Sequence, residues 1–195
     1  MTQKIMIIRH AEKPNHVTTG VDANGQHDNE SLTPQGWQRA GALVQFFAPG
    51  DEGEPQAPLA RPKHLFAAFY DAASDDDSKR PYETIEPLAQ HLGPSISIDD
   101  SVGKDDVENL VQRVTATDGP ALIAWEHRRI PSIARLLVSS EEPVPDWPDN
   151  RFDMVWVFDR NGSTWRLTQV PQLLLAGRPA NALQLTTTSR LTTEL

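Results

Sequence analysis

The sequence predicts an α/β fold on a mixed, layered sheet, and three observations carry that expectation. Short apolar runs alternate with stretches of helical periodicity, the pattern of strands connected by helices. Two of the runs, Ile5-Met6-Ile7-Ile8 and Ala121-Leu122-Ile123-Ala124-Trp125, are continuously apolar, as strands covered on both faces are. A closing pair of runs, 154–158 and 164–168, flanks Asn161-Gly162 and predicts a hairpin, so at least one strand is antiparallel.

In chain order, the first strand ends at Arg9, and a polar loop leads to Leu32-Thr33-Pro34-Gln35-Gly36. Thr33 is suited to cap a helix, and Pro34 falls at its first position, where a missing N–H costs nothing. Trp37, Ala40, Gly41, Val44 and Ala48 recur at helical spacing and predict its buried stripe. Residues 50–62 are rich in Pro, Gly and acid and read as a surface loop. Residues 65–69 form the second strand, followed by a polar loop with Asp75-Asp76-Asp77. Pro81 opens a second helix whose apolar face, Ile85, Leu88, Ala89 and Leu92, ends at Gly93. Ile96-Ser97-Ile98 predicts a short strand, and Val107, Leu110, Val111 and Val114 a third helix. After Gly119-Pro120 comes the central apolar strand, then a fourth helix marked by Ile130, Ile133, Ala134, Leu137 and Val138. Trp37, Trp125 and Trp156 are expected in the core, and Trp147, between prolines, in a loop. One domain is expected over 1–176. The tail 177–195, with Thr186-Thr187-Thr188, lacks periodicity and is expected to be extended or disordered.

Composition narrows the function. The 195 residues carry a net charge of −9, which gives no general attraction for nucleic acid or anionic membranes. Any anion must therefore be held by a local basic cluster. Cysteine is absent, which excludes thiolate catalysis, disulfides and Cys-based zinc sites. The first apolar run is too short for a signal peptide and no run has the length of a membrane span, so a cytoplasmic location is expected. The Asp75-Asp76-Asp77 run lacks the glycine and ligand spacing of a calcium loop and reads as solvated; no metal site is expected. His27, His64 and His91 stand outside any constellation and read as surface or structural residues.

Ligands of open α/β sheets bind at the carboxyl ends of the strands. Two apolar strands here pass directly into basic residues, Arg9-His10-Ala11-Glu12-Lys13 and Glu126-His127-Arg128-Arg129. Arg80 precedes the helix opened by Pro81, beside backbone N–H groups that favour an anion. Such groups suit phosphoryl transfer, which needs in-line geometry and fixed positive donors more than covalent help. Guanidinium forks can hold the oxygens, a neutral imidazole can attack phosphorus, and nearby positive charge keeps that imidazole neutral.

At this point the residues resemble a known family. Ile7-Ile8-Arg9-His10-Ala11-Glu12 resembles the strand-ending Arg-His-Gly-Glu signature of the histidine phosphatase (phosphoglycerate mutase-like) superfamily. Leu32-Thr33-Pro34-Gln35-Gly36-Trp37-Gln38-Arg39-Ala40 is similar to its Leu-Thr-x-x-Gly-x-x-Gln-Ala helix start, and Arg80-Pro81-Tyr82-Glu83-Thr84 to its Arg-x-x-x-Thr element. The 121–127 run occupies the place of the strand that delivers a second histidine. The resemblance implies a three-layer α/β/α fold with a mixed, mostly parallel central sheet. It implies a phosphatase with His10 as the phosphorylated nucleophile, Arg9, Arg80 and His127 around the phosphate, and no metal or organic cofactor. The implied substrate is a small phosphorylated molecule or a phosphohistidine protein. Asn15 and His16 lie where a phosphate contact of the family can occur, and equally suit an exposed loop. The chain departs from the family at Ala11, where glycine is usual, and at Arg128 and Arg129, which extend the pocket or face solvent. Glu12, Glu126, Asp99, Asp100 and Asp105 are alternatives for the acid that protonates the leaving oxygen. A mutase-type phosphotransferase and a catalytically silent phospho-ligand or protein-binding module are the competing readings.

Overall fold

The structure is a computed structural model describing residues 3–185 except 51, 72, 75, 76, 139 and 140. Six strands form one sheet: β1 (Lys4–Arg9), β2 (His64–Ala68), β3 (Ile98–Val102), β4 (Ala121–Trp125), β5 (Met154–Asn161) and β6 (Thr164–Pro171). Four helices accompany them: α1 (Pro34–Phe47), α2 (Arg80–Leu92), α3 (Val107–Thr115) and α4 (Ile130–Leu137). The spatial order is β3-β2-β4-β1-β5-β6. β1, β4, β2 and β3 run parallel, whereas β5 is antiparallel to β1 and β6 to β5. The mixed, mostly parallel sheet expected from the sequence is present.

Alternation along each strand divides the core into two layers. Ile5, Ile7, Phe66, Ile123, Trp125, Met154, Trp156 and Phe158 face α3 and α4. Met6, Ile8, Leu65, Ala67, Leu122, Ala124, Val155 and Val157 face α1 and α2. Both central strands, β1 and β4, are thus covered on two sides, which is why they are apolar at almost every position. Arg9 belongs to the same face as Ile5 and Ile7, and its register partner on β4 is Trp125.

Three local differences from the sequence reading have physical causes. The buried stripe of α1 is Gly36, Ala40, Leu43 and Phe47, with Arg39 also buried; Trp37 is half-buried and Gly41 exposed. Inward-turned Arg39 finds a buried carboxylate, so polarity misled the assignment of faces. Gly36 has no substitute there, because a Cβ would lie 2.7 Å from the carbonyl oxygen of Glu12. β3 begins at Ile98 and extends through Asp99 and Asp100 rather than starting at Ile96. A turn closed by Ile96 N–H to Gly93 O precedes it, and two aspartates are tolerated because β3 is an edge strand. Trp147 is buried and packs on Trp156 with ring centroids 5.0 Å apart, so its loop is anchored in the core.

The expected tail begins inside the described residues. Leu183 is buried with the α3/α4 layer, and Arg178 reaches the carboxylate of Glu12. The threonine run at 186–188 lies outside the described residues. Among the described residues no helix is long and apolar enough to cross a membrane.

Candidate functional site

The carboxyl ends of β1 and β4 lie side by side, and the backbone N–H of His10 donates to Trp125 O at 3.0 Å. That pairing brings His10, just after β1, near His127, two residues after β4. Together with Arg80, at the first turn of α2, they line a cavity of about 230 Å³. Lys13, Lys104 and Arg128 also line it, so the rim is strongly basic on an acidic protein. Phe69, half-exposed, contributes an apolar wall, and Asp77 and Glu126 the acidic groups.

His10 is almost fully buried, and its Nδ1 lies 2.8 Å from the carbonyl oxygen of its neighbour Ala11. A carbonyl only accepts, so Nδ1 carries the proton and Nε2 keeps its lone pair. Burial, then the charge of Arg9, with smaller effects of Arg80 and His127, hold the ring well below the ordinary imidazole range; the Ala11 carbonyl opposes them. The ring is therefore neutral at pH 7. The Ala11 methyl is accommodated beside Leu32 and Ala40, and its N–H donates to Thr84 Oγ1 at 2.8 Å.

His127 is buried as well, and burial followed by the charge of Arg9 lowers it to about 4, against the pull of Asp149. Its Nε2 lies 3.3 Å from Asp149 Oδ1. The Arg9 guanidinium is inaccessible to solvent and stacks 3.8 Å from the centre of the Phe152 ring. Its Nη1 donates to the carbonyls of Asp149 (2.6 Å), Arg151 (3.2 Å) and Pro148 (3.4 Å), and its Nη2 to Asp149 Oδ1 (3.4 Å). Burial draws Arg9 down to about 10, opposed first by Asp149, and it stays charged at neutral pH. Arg80 donates to Asn29 O at 2.8 Å and to Glu30 Oε2 at 3.2 Å.

The loop before α1 and the start of α2 are joined by several polar contacts. Glu83 accepts from Ser31 Oγ (2.6 Å) and from the Leu32 N–H (2.9 Å), and Lys79 pairs with Asp28 at 2.7 Å. The Leu-Thr and Arg-x-x-x-Thr elements thus support one another, and both set the position of Arg80. Four buried side-chain atoms lack a hydrogen-bond partner among the described residues. Three of them are Arg9 Nε, Arg80 Nε and His127 Nδ1. Buried polar atoms are rarely left unpaired, so their concentration on the predicted site residues is itself a functional signal.

The five candidate acids separate cleanly. Glu12 is locked between Arg39, with contacts at 2.7 and 3.0 Å, and Arg178 at 2.8 Å. Asp99 pairs with Arg113 at 2.5 Å, and Asp105 with Arg129 at 2.6 Å. Of the five, only Glu126 lines the cavity; Asp100 does not. Arg129 is engaged by Asp105, whereas Arg128 is largely exposed at the rim. Asn15 and His16 are exposed, and Asn15 Oδ1 accepts from the N–H groups of Val17 and Thr18, a local turn. Lys104 and Asp149 were not singled out by the sequence reading, which met Lys13 only as the end of the first basic run and Phe69 only as the end of the second strand. Lys104 stands just before the third helix, and Asp149 sits in a proline-rich loop with no motif.

No protein family's sequence profile matches the chain, and no curated protein does either. Solved structures do match. The protein histidine phosphatase SixA, complexed with tungstate, aligns at 14% identity with a TM-score of 0.56, covering 87% of this chain and 97% of its own. Mycobacterial glucosyl-3-phosphoglycerate phosphatase Rv2419c, complexed with VO3, aligns at 14% identity and TM-score 0.54, covering 85% and 96%. Phosphoglycerate mutase from Bacillus anthracis aligns at 10% identity and TM-score 0.50, covering 87% and 92%.

Proposed function

Because this chain has the fold of the histidine phosphatase superfamily, we propose that it is a phosphatase hydrolysing phosphomonoesters or phosphoramidates through a phosphohistidine at His10. The observation that carries this reading is the state of His10. It is a buried, neutral ring whose proton is fixed on Nδ1 by the Ala11 carbonyl, with a free lone pair on Nε2 beside a basic cavity.

In the first transfer Nε2 of His10 attacks phosphorus, the N–P bond forms, and the bond to the leaving oxygen or nitrogen breaks. Glu126, the cavity-lining member of the candidate acids, supplies the proton to the leaving group. In the second transfer a water attacks phosphorus, Glu126 takes its proton, and His10 departs as the neutral ring. Arg80 and His127, which line the cavity with His10, stabilise charge on the equatorial oxygens of the transferred group, and Arg9, buried and outside that lining, adds its positive charge beside both histidines. The substrates proposed are small phosphorylated molecules or phosphohistidine proteins, in keeping with the names of the two phosphatase neighbours.

The test compares wild type with His10→Ala on p-nitrophenyl phosphate and phosphohistidine, and looks for an acid-labile phosphoryl adduct by mass spectrometry. Phosphate release by wild type, an adduct on His10 and loss of both in the variant are expected, with activity unaffected by chelators. Equal, slow release by the two proteins would favour a phospho-ligand binding module instead. Isomer exchange on phosphoglycerates without phosphate release would favour a mutase.

A further inference from the structure

One acidic side chain sits inside the basic cluster. Asp149 Oδ1 lies 3.0 Å from Lys13 Nζ, 3.3 Å from His127 Nε2 and 3.4 Å from Arg9 Nη2. A single carboxylate oxygen thus collects three nitrogens from three separate segments: the loops after β1 and β4, and β1 itself. Of the three, His127 is assigned above to the phosphoryl oxygens and Arg9 to the charge beside both histidines. The third, Lys13, lines the same cavity as His10.

We propose that Lys13 is a further ligand of the phosphoryl group and that Asp149 is an internal anion which the substrate displaces, the pair setting which anions the site accepts. This rests on the phosphatase reading and deepens it. The geometry allows the exchange without moving the loop. Asp149 is anchored through its backbone, whose carbonyl accepts from Arg9 Nη1 at 2.6 Å. On one side Trp147 is buried against Trp156, its Nε1 donating to Arg151 O at 2.8 Å. On the other, Arg151 pairs with buried Asp153 at 2.8 Å. The carboxylate alone is free to turn, for its side chain is 66% exposed. It also lines a neighbouring cavity of about 370 Å³, shared with Lys13, which offers space to turn into.

The consequence is selective. A lone oxyanion that contacts only this cluster meets an intramolecular competitor already in place. A phosphoryl group whose leaving group is also held in the His10 cavity has further contacts with which to displace it. Free phosphate, once formed, lacks those contacts and is released. The charge of Asp149 is kept on by the same neighbours, first the hydrogen bond from Lys13, so it competes as a carboxylate at neutral pH.

The probe is inorganic phosphate, measured by calorimetry and as an inhibitor of p-nitrophenyl phosphate hydrolysis. D149N is expected to bind phosphate about tenfold more tightly than wild type, the factor being limited by the exposure of the carboxylate. D149S is expected to show the same gain, and K13A about a tenfold loss with KM affected more than kcat. D118N carries the same charge change beside His64, at the opposite end of the sheet, and is expected to leave phosphate binding unchanged. Unchanged or weaker binding in both Asp149 variants would overturn the proposal, as would an equal gain in D118N. Either result, with a wild type that still forms the His10 adduct, leaves the phosphatase reading intact. That reading fails separately, if wild type and His10→Ala are equally inactive.

Discussion

Thr84 Oγ1 accepts the N–H of Ala11 at 2.8 Å and donates to Arg80 O at 2.6 Å. One hydroxyl therefore joins the residue after His10 to the turn that carries Arg80. Thr84→Val keeps the shape, but leaves the buried Ala11 N–H unpaired, at a cost of about 1–3 kcal/mol. Urea denaturation should show a loss of this size, with KM for p-nitrophenyl phosphate raised because the two phosphate-side groups are no longer held in register. Wild-type stability and KM in this variant would refute the link.

Glu12 answers to two guanidinium groups in the core. Its oxygens meet Arg39 at 2.7 and 3.0 Å and Arg178 at 2.8 Å, and both Glu12 and Arg39 are nearly inaccessible to solvent. Removing one partner of a buried pair leaves an uncompensated charge, so Glu12→Ala is expected to lose about 3–5 kcal/mol in denaturant unfolding. A loss below about 1 kcal/mol would mean that water replaces the carboxylate freely.

Glu126 can be separated from the phosphate-holding groups by leaving-group chemistry. A proton donor matters most where the departing oxygen is a poor leaving group. Glu126→Gln should therefore slow hydrolysis of an alkyl phosphate by about a hundredfold, while slowing p-nitrophenyl phosphate much less. Equal losses on both substrates would argue for a positioning role.

The two histidines predict how stability and activity follow pH. In the unfolded chain each takes up a proton near 6.5, whereas in the fold His127 is lowered to about 4 and His10 lies well below the same reference. Between those values the unfolded state binds more protons, so stability is full above about 6.5 and is lost as pH falls toward 4. Because His10 is held well below that reference, adduct formation should not decline as pH passes through 6.5. Denaturation midpoints between pH 7 and 4.5 and the rate of His10 phosphorylation test the two halves. Replacing both histidines should flatten the stability profile.

What could be read from the sequence follows from how locally each feature is encoded. β1 and β4 are covered on both faces, so continuous apolarity marked them, and the basic residues that follow fell at the sheet's mouth without further information. Thr33 and Pro34 announced the start of α1, and Thr33 does accept the Gly36 N–H there. The inward face of α1 was less legible, since Arg39 is buried only because Glu12, 27 positions away, lies opposite. The same holds for the five candidate acids: nothing local distinguishes Glu126 from Asp105 until Arg129 is seen to engage the latter. Asp149 is the extreme case. Its contacts are with Lys13, Arg9 and His127, all remote in the chain and joined only by folding.

The strand order carries a consequence for synthesis. β1, which ends in the His10 segment, is hydrogen-bonded to β4 and β5, whose residues begin at Ala121 and Met154. During translation the most apolar stretch of the amino-terminal half therefore emerges from the ribosome long before either flanking strand exists. It must wait, shielded by other means, until well over half the polypeptide has followed it. A premature stop before β4 would yield a fragment with an exposed, unpartnered β1, a natural client for chaperones and proteases rather than a smaller working protein.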